Sequence, residues 1–309
     1  MQTIESLRRK IKSTQDLLSV VKTMKALAAV SIRQYQRAVE SLADYNETVE
    51  RGLQIVLKAE EKTAMAKPKS APIAKVGAIV FGSDQGLCGQ FNAQVVSHAL
   101  EEMDALHIPD QGRYILTVGE RVKDYMERSD KDIYDNLATP GSTAGITPMV
   151  QEIVMILQEW RFVLNVTHIY LFYNHYLSGA NFKPHTLRLL PVDYVWLEAI
   201  RARKWESKTL PFFTMNWDIL FASLIREYLF VSIYQAFTES LASENASRLA
   251  AMQNAEKNIQ DHLEEIFAEY HRQRQMTITE ELLDIVSGYE AMKGDTRLER
   301  QISSTSSKE

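Results

Sequence analysis

Hydrophobic positions follow two different periods along this chain, and the change of period divides it in three. From Ile4 to Val56 they return in steps of three and four. With a at 4, 11, 18 and onward and d at 7, 14, 21 and onward, thirteen of sixteen seam positions are apolar, the exceptions being Thr14, Lys25 and Asn46. Seven consecutive heptads predict a coiled-coil helix rather than a core helix. A buried Asn at an a position can fix register, which suits Asn46, while the charge of Lys25 on the seam calls for an acidic partner or an escape to solvent.

Between Val76 and Pro191 the apolar runs are short and punctuated by turn residues. Strands are predicted at Val76–Phe81, Arg113–Val118, Ile133–Leu137 and Thr167–Tyr173, with an edge strand at Thr186–Pro191. Helices are predicted at Asn92–Leu106, around Glu120–Arg128 and at Thr143–Trp160. This alternation predicts βαβ units and a mostly parallel sheet.

Phe212 to Ser287 then runs for 76 residues with neither glycine nor proline, the two residues that most often end a helix. As continuous helix it would extend roughly 110 Å at 1.5 Å per residue, too far for one globular core to cover. Its apolar face must therefore meet another helix or another protein. Small residues (Ala242, Ser243, Ala246, Ser247, Ala250, Ala251, Ala255) allow close backbone approach. Leu263, Ile266, Tyr270, Arg274, Ile278 and Leu282 follow mostly in steps of four, which relaxes left-handed supercoiling.

All eight prolines and ten of the twelve glycines lie within Gly52–Pro211. The expected organisation is an N-terminal coiled-coil helix (1–57), a polar linker (58–74), an α/β domain (75–208), a C-terminal coiled-coil helix (209–292) and a polar, disordered tail (293–309). The fold class is α/β plus a long antiparallel coiled coil, in which the terminal helices pair and a Rossmann-like domain is inserted between them.

Composition narrows the function. A hydrophobic content of 45% suits a folded soluble protein, and a formal net charge of −5 gives no overall field for nucleic acid. Residues 1–40 nevertheless hold eight Lys/Arg against Glu5, Asp16 and Glu40, a solvated face or a docking surface for an acidic partner. The single cysteine, Cys88, excludes an internal disulfide. No apolar run follows a basic start, so no signal peptide is expected. The apolar stretch Leu210–Thr238 is broken by Asp218, Arg226 and Glu227, so membrane association is expected only through partners.

Catalytic chemistry is hard to find. Gly86-Leu87-Cys88-Gly89 follows a strand and precedes a helix, but lacks the Gly-x-Gly-x-x-Gly spacing that brings backbone to a pyrophosphate. There is no phosphate loop of the Gly-x-x-x-x-Gly-Lys-Ser/Thr type, and the seven histidines have no His-Glu-x-x-His spacing. Glu244 and Arg248 stand four apart, the favourable order for a helix ion pair. No catalytic residue, metal site or cofactor is expected.

Three motifs carry a resemblance that spans the chain. They are Ile11-Lys12-Ser13 with Lys22-Thr23-Met24-Lys25-Ala26-Leu27-Ala28-Ala29; Ser83-Asp84-Gln85-Gly86-Leu87-Cys88-Gly89-Gln90-Phe91-Asn92; and Ser243-Glu244-Asn245-Ala246-Ser247-Arg248-Leu249-Ala250-Ala251-Met252 followed by Arg274-Gln275-Met276-Thr277-Ile278-Thr279-Glu280-Glu281-Leu282. In order and spacing they resemble the gamma subunit of F-type ATP synthases, the central rotor shaft. The resemblance implies a non-catalytic subunit whose helices turn inside a hexamer of alpha and beta subunits. It also implies contacts with the epsilon subunit and the membrane-embedded c-ring, and a peripheral location on the cytoplasmic face of a bacterial inner membrane. Met24 and Lys25 would face an acidic loop of a catalytic subunit, with Lys22 a further partner contact; Arg274, Gln275 and Thr279 would lie where such a subunit grips the shaft; Glu244 and Arg248 would help couple the two.

The chain departs from the family pattern in places. Gln85 and Gln90 replace the family's Arg and second Gly, Leu210–Asp218 lacks the acidic, proline-containing sequence associated with ring contact, and Lys293–Glu309 extends beyond the usual end. These departures resemble a divergent bacterial branch. A non-rotary coiled-coil scaffold with an inserted α/β domain, and an α/β enzyme with helical arms, stay open on the residues alone.

Overall fold

A computed structural model describes residues 3–59, 74–179, 181–205, 209 and 211–305, with side chains as far as Tyr289. Its elements run α1 (Ile4–Ala59), β1 (Val76–Phe81), α2 (Phe91–Ala105), β2 (Arg113–Val118), α3 (Glu120–Arg128), β3 (Asp135–Leu137), α4 (Ile146–Phe162), β4 (His168–Ser178), β5 (Asn181–Leu190), α5 (Tyr194–Ala202) and α6 (Trp217–Thr305). The chain forms two compact units, one of residues 1–23 with 254–309, the other of residues 24–253.

In the larger unit the strands form one sheet in the order β3-β2-β1-β4-β5. β1, β2, β3 and β4 are mutually parallel, and β5 closes the edge antiparallel to β4. β1 is buried at all six positions, as a central parallel strand covered on both faces should be. Ala78, Val80 and Ile115 face α2 and α3 through Val95, Ala99, Met103, Val122 and Met126. Ile79, Phe81, Leu116 and Leu171 face α4 and α6, where Ile153, Trp160, Ile233 and Phe237 pack together with Tyr35 of α1. Gly82 permits the turn out of β1, since a Cβ there would stand 1.8 Å from Val122 Cγ2.

α1 and α6 are antiparallel within this unit. Tyr45 donates to Glu227 at 2.7 Å, Gly52 lies against Leu224, and the Trp217 indole donates to the Val56 carbonyl at 3.0 Å. In the smaller unit Leu7 and Ile11 pack with Leu263 and Ile266, flanked by Leu18, Ile259 and Tyr270, and Arg8 Nε donates to the Tyr270 hydroxyl at 3.1 Å. All sixteen seam positions of α1 are buried or half-buried.

The larger differences from the pattern's expectation lie at the ends of α6, in β4 and β5, and in α5. α6 starts at Trp217 rather than residue 209, because Asn216 accepts from the Asp218 N–H at 2.9 Å and caps it. Its backbone stays helical to Thr305 rather than ending at Met292; beyond Gly294 the residues include the good helix formers Arg297, Leu298, Glu299, Arg300 and Gln301. β4 and β5 reach further than expected, as a long hairpin. α5 is an additional helix, capped by Asp193, which accepts from Val195 N–H at 3.0 Å. Most of the expected linker and the last four residues of the tail lie outside the described residues. α6 also contains a stretch long and apolar enough, by length and composition, to cross a membrane; Val231, Ile233, Ala236 and Phe237 of that helix are buried within the larger unit.

Candidate functional site

In doubly wound sheets, ligands bind outside the carboxyl ends of the strands where the strand order reverses. Here that point lies between β1 and β4, and α6 packs across it. The Ser83–Asn92 loop leaves β1 and is folded on itself: Ser83 N–H donates to Asn92 Oδ1 at 3.0 Å, and Asn92 Nδ2 donates back to Ser83 Oγ at 2.8 Å. Asp84 anchors the outer side, accepting from Glu120 N–H at 3.1 Å and from the Thr139 amide and hydroxyl, each at 2.8 Å.

α6 then grips this loop through its small polar residues. Ser247 donates to the Cys88 carbonyl at 2.5 Å, and Ser243 donates to the carbonyl of Asn174, within β4, at 2.8 Å. Asn174 Nδ2 donates in turn to the Phe91 carbonyl at 3.0 Å. Gly89 is left-handed at φ +58°, and a Cβ there would meet Ser247 Oγ at 3.5 Å. Short side chains on this face of α6 therefore bring backbone to backbone at the position where a dinucleotide would otherwise approach the sheet.

Glu244 and Arg248 sit inside this junction. Arg248 donates to Glu244 Oε1 at 2.5 Å, to Asn245 Oδ1 at 3.3 Å and to the Gln85 carbonyl at 3.2 Å. Both side chains are nearly covered, 12% and 7% exposed respectively for Arg248 and Glu244. Burial pushes the Glu244 carboxyl up to about 7, and the adjacent guanidinium offsets only part of that. The same burial raises the Tyr35 hydroxyl, with Glu244 adding to the effect. Burial also raises the Cys88 thiol, whose Ser83 contact only partly counters it. A thiol held protonated in this way is a poor nucleophile. Nearby, Glu239 of α6 pairs with His175 of β4 and accepts from Gln235 at 2.8 Å.

Of the residues singled out from sequence, the larger unit brings Glu244 and Arg248 together with the middle motif. Met24 and Lys25 are half-buried in that unit, away from this cluster in sequence. In the smaller unit Lys22, Arg274, Gln275 and Thr279 are exposed on their helices, and Thr279 Oγ1 donates to the Gln275 carbonyl at 2.9 Å. Residues that sequence reasoning passed over are Asp84, Asn92, Asn174, Ser243 and Ser247. The polar, small-residue character of the two motifs was visible, but not that each completes the other. The Gln85 departure costs this junction nothing, because Arg248 uses the backbone carbonyl at that position.

Among the described residues no group of three or more His, Cys, Asp or Glu could hold a metal ion.

A model of the family described as ATP synthase matches residues 3–292. An ATP synthase gamma chain of Granulibacter bethesdensis is 30% identical over 310 residues, covering 94% of this chain and 100% of that one. The ATP synthase gamma chain of Brevibacillus brevis is 27% identical over 291 residues, covering 93% and 98%. Among solved structures, a chain of the Euglena gracilis mitochondrial ATP synthase rotor aligns with a TM-score of 0.62 at 17% identity, over 89% of this chain and 98% of that one. A chain of the Tetrahymena thermophila mitochondrial ATP synthase central stalk and c-ring aligns at 0.54 and 20% identity, over 76% and 99%. At these identities the structural likeness establishes the fold.

Proposed function

The chain belongs to the ATP synthase gamma family, and from that premise we propose how it works: as the central rotor stalk that couples ion-driven rotation to conformational cycling of catalytic subunits. The observation that carries this reading is the match of the family over residues 3–292, joined to a fold in which two long helices pair and a sheet domain is fastened to one of them by buried hydrogen bonds.

The chain is a non-catalytic subunit, and the residues that make or hydrolyse ATP belong to its partners. Alpha and beta subunits surround the paired helices; the epsilon subunit and c-ring meet the α/β domain. The subunit is peripheral and sits on the cytoplasmic face of a bacterial inner membrane. Its parts in chain order are an N-terminal helix, a linker, the α/β domain, a C-terminal helix and a short extension.

A shaft does work only if it contacts several conformations of its partner with different free energies. Side chains that are at least partly exposed on stiff helices suit that role. Lys22, Met24 and Lys25 meet an acidic loop of a catalytic subunit, and Arg274, Gln275 and Thr279 form the grip near the other end of the chain. Towards the end of α6, Leu282, Leu283, Ile285 and Val286 are all more than half exposed, an apolar surface that a surrounding partner would cover. Glu244 and Arg248 act indirectly, by fixing the sheet domain to the shaft so that torque applied to one turns the other.

The test is reconstitution with alpha and beta subunits from the same source, followed by an ATPase assay. ATPase activity that depends on this chain and falls when Met24, Lys25 or Arg274 is changed to alanine supports the stalk. A chain that neither assembles with those subunits nor alters hydrolysis sinks this reading and favours a coiled-coil scaffold.

A further inference from the structure

β4 pairs with β1 only as far as Phe172, and beyond that point the β4–β5 hairpin relies on contacts across its faces. Its register sets Tyr173 opposite His185 and His175 opposite Lys183, so these four side chains share one face, the face that meets α6. There His175 Nδ1 pairs with Glu239 Oε2 of α6, and Gln235 donates to the other carboxylate oxygen at 2.8 Å. His185 lies beside this pair. Its ring centroid is 6.1 Å from that of His175 and 5.2 Å from that of Tyr173, edge to face. Both imidazoles keep enough exposure for protons to reach them.

The balance of charge at this face depends on the number of protons. Glu239, only 7% exposed, is a covered carboxylate that needs its hydrogen bonds, and it can neutralise one imidazolium. A second imidazolium meets Lys183 on β5 and, from the α2 side of the sheet, His98, whose Nε2 contacts Thr186 Oγ1 at 2.8 Å. Burial holds the His185 ring below the ordinary histidine value, with His175, His98 and Lys183 acting in the same direction and Glu239 against it. The Tyr173 hydroxyl, raised by burial and by Glu239, stays neutral. His185 thus resists a proton that the unfolded chain accepts near pH 6.5. Stability contributed by the neutral ring is present above that pH and is lost as pH falls below it.

We propose that the β4–β5 hairpin is a proton-sensitive clasp on α6, closed by the His175–Glu239 pair while His185 is neutral and loosened when both imidazoles carry a proton. Loosening would reach Asn174, which lies between Tyr173 and His175. Its carbonyl accepts from Ser243 of α6 and its side chain donates to the Phe91 carbonyl. The clasp is a property of the folded chain and does not rest on the stalk reading; in a stalk it would make the fastening of the sheet domain to the shaft depend on pH.

Hydrogen exchange of the full chain at pH 7.5 and 5.5, corrected for the intrinsic rate, tests the clasp. Solvent screens both rings, so the expected loss of protection over residues 173–186 at pH 5.5 is roughly threefold, with no such loss in β1. His185→Gln leaves one imidazole on this face, and His175→Gln keeps an amide donor for Glu239 without the charge. Each should abolish the loss. Equal protection of the hairpin at both pH values overturns the proposal, as does an equal loss in β1, or a loss that either variant retains in full. Protection of β1 at pH 7.5 that matches the unaltered protein shows a variant to be folded, and one folded variant is enough to decide.

Discussion

The Ser247 hydroxyl donates to the Cys88 carbonyl at 2.5 Å across 159 positions of sequence, tying the loop after β1 to α6. With the Ser243 bond to Asn174 it makes the sheet domain and this part of the helix a single body, as a torque-bearing part requires. Ser247→Ala leaves the carbonyl buried without its donor and should cost about 1 to 3 kcal/mol. Gly89→Ala forces a Cβ into left-handed backbone beside Ser247 and should cost about 1 to 2 kcal/mol. Urea midpoints of the two variants, compared at constant slope, check both values.

Arg248 and Glu244 behave as a buried pair. Arg248→Met leaves a carboxylate covered and unpaired, for which the expected loss is about 3 to 5 kcal/mol. The double change Glu244→Gln with Arg248→Met removes both charges and should recover much of that loss. A double variant no more stable than Arg248→Met alone would mean that the guanidinium acts mainly through Gln85 and Asn245.

The Glu244 carboxyl is raised from an ordinary 4.5 to about 7, which makes a pH dependence of definite sign. Between those values the folded protein keeps a proton that the unfolded chain has released. Stability contributed by this group is therefore fully present below pH 4.5 and falls as pH rises towards 7, by at most about 1.4 kcal/mol per unit. Glu244→Gln cannot release a proton, so its stability curve should diverge upward from that of the unaltered protein across this window. Parallel curves from pH 5 to 7.5 would contradict the burial argument.

Arg274 and Gln275 are exposed on α6. Alanine at either should leave the melting temperature of the free chain nearly unchanged, within about 0.5 kcal/mol of stability, while lowering the ATPase activity of the reconstituted complex. Equal losses of stability and activity would mean that these residues serve the helix rather than a partner.

Periodicity was enough to read the helices, since a seam in steps of three and four can bury one stripe only by pairing. Every seam position from Ile4 to Val56 is buried or half-buried accordingly. The absence of glycine and proline from 212 to 287 likewise marked the long helix, because chain breakage is a local property of the backbone. The order of strands and helices followed from their alternation, and the three motifs pointed to the family.

The junction itself was decided by the tertiary structure. Glu244 and Arg248 look like any surface pair four residues apart, and only the packing of α6 against the β1 loop nearly covers them. Ser243, Ser247, Asn174 and Arg248 donate to the carbonyls of Asn174, Cys88, Phe91 and Gln85, and a backbone carbonyl is the same at every residue. Such contacts leave no mark on the sequence of the accepting side.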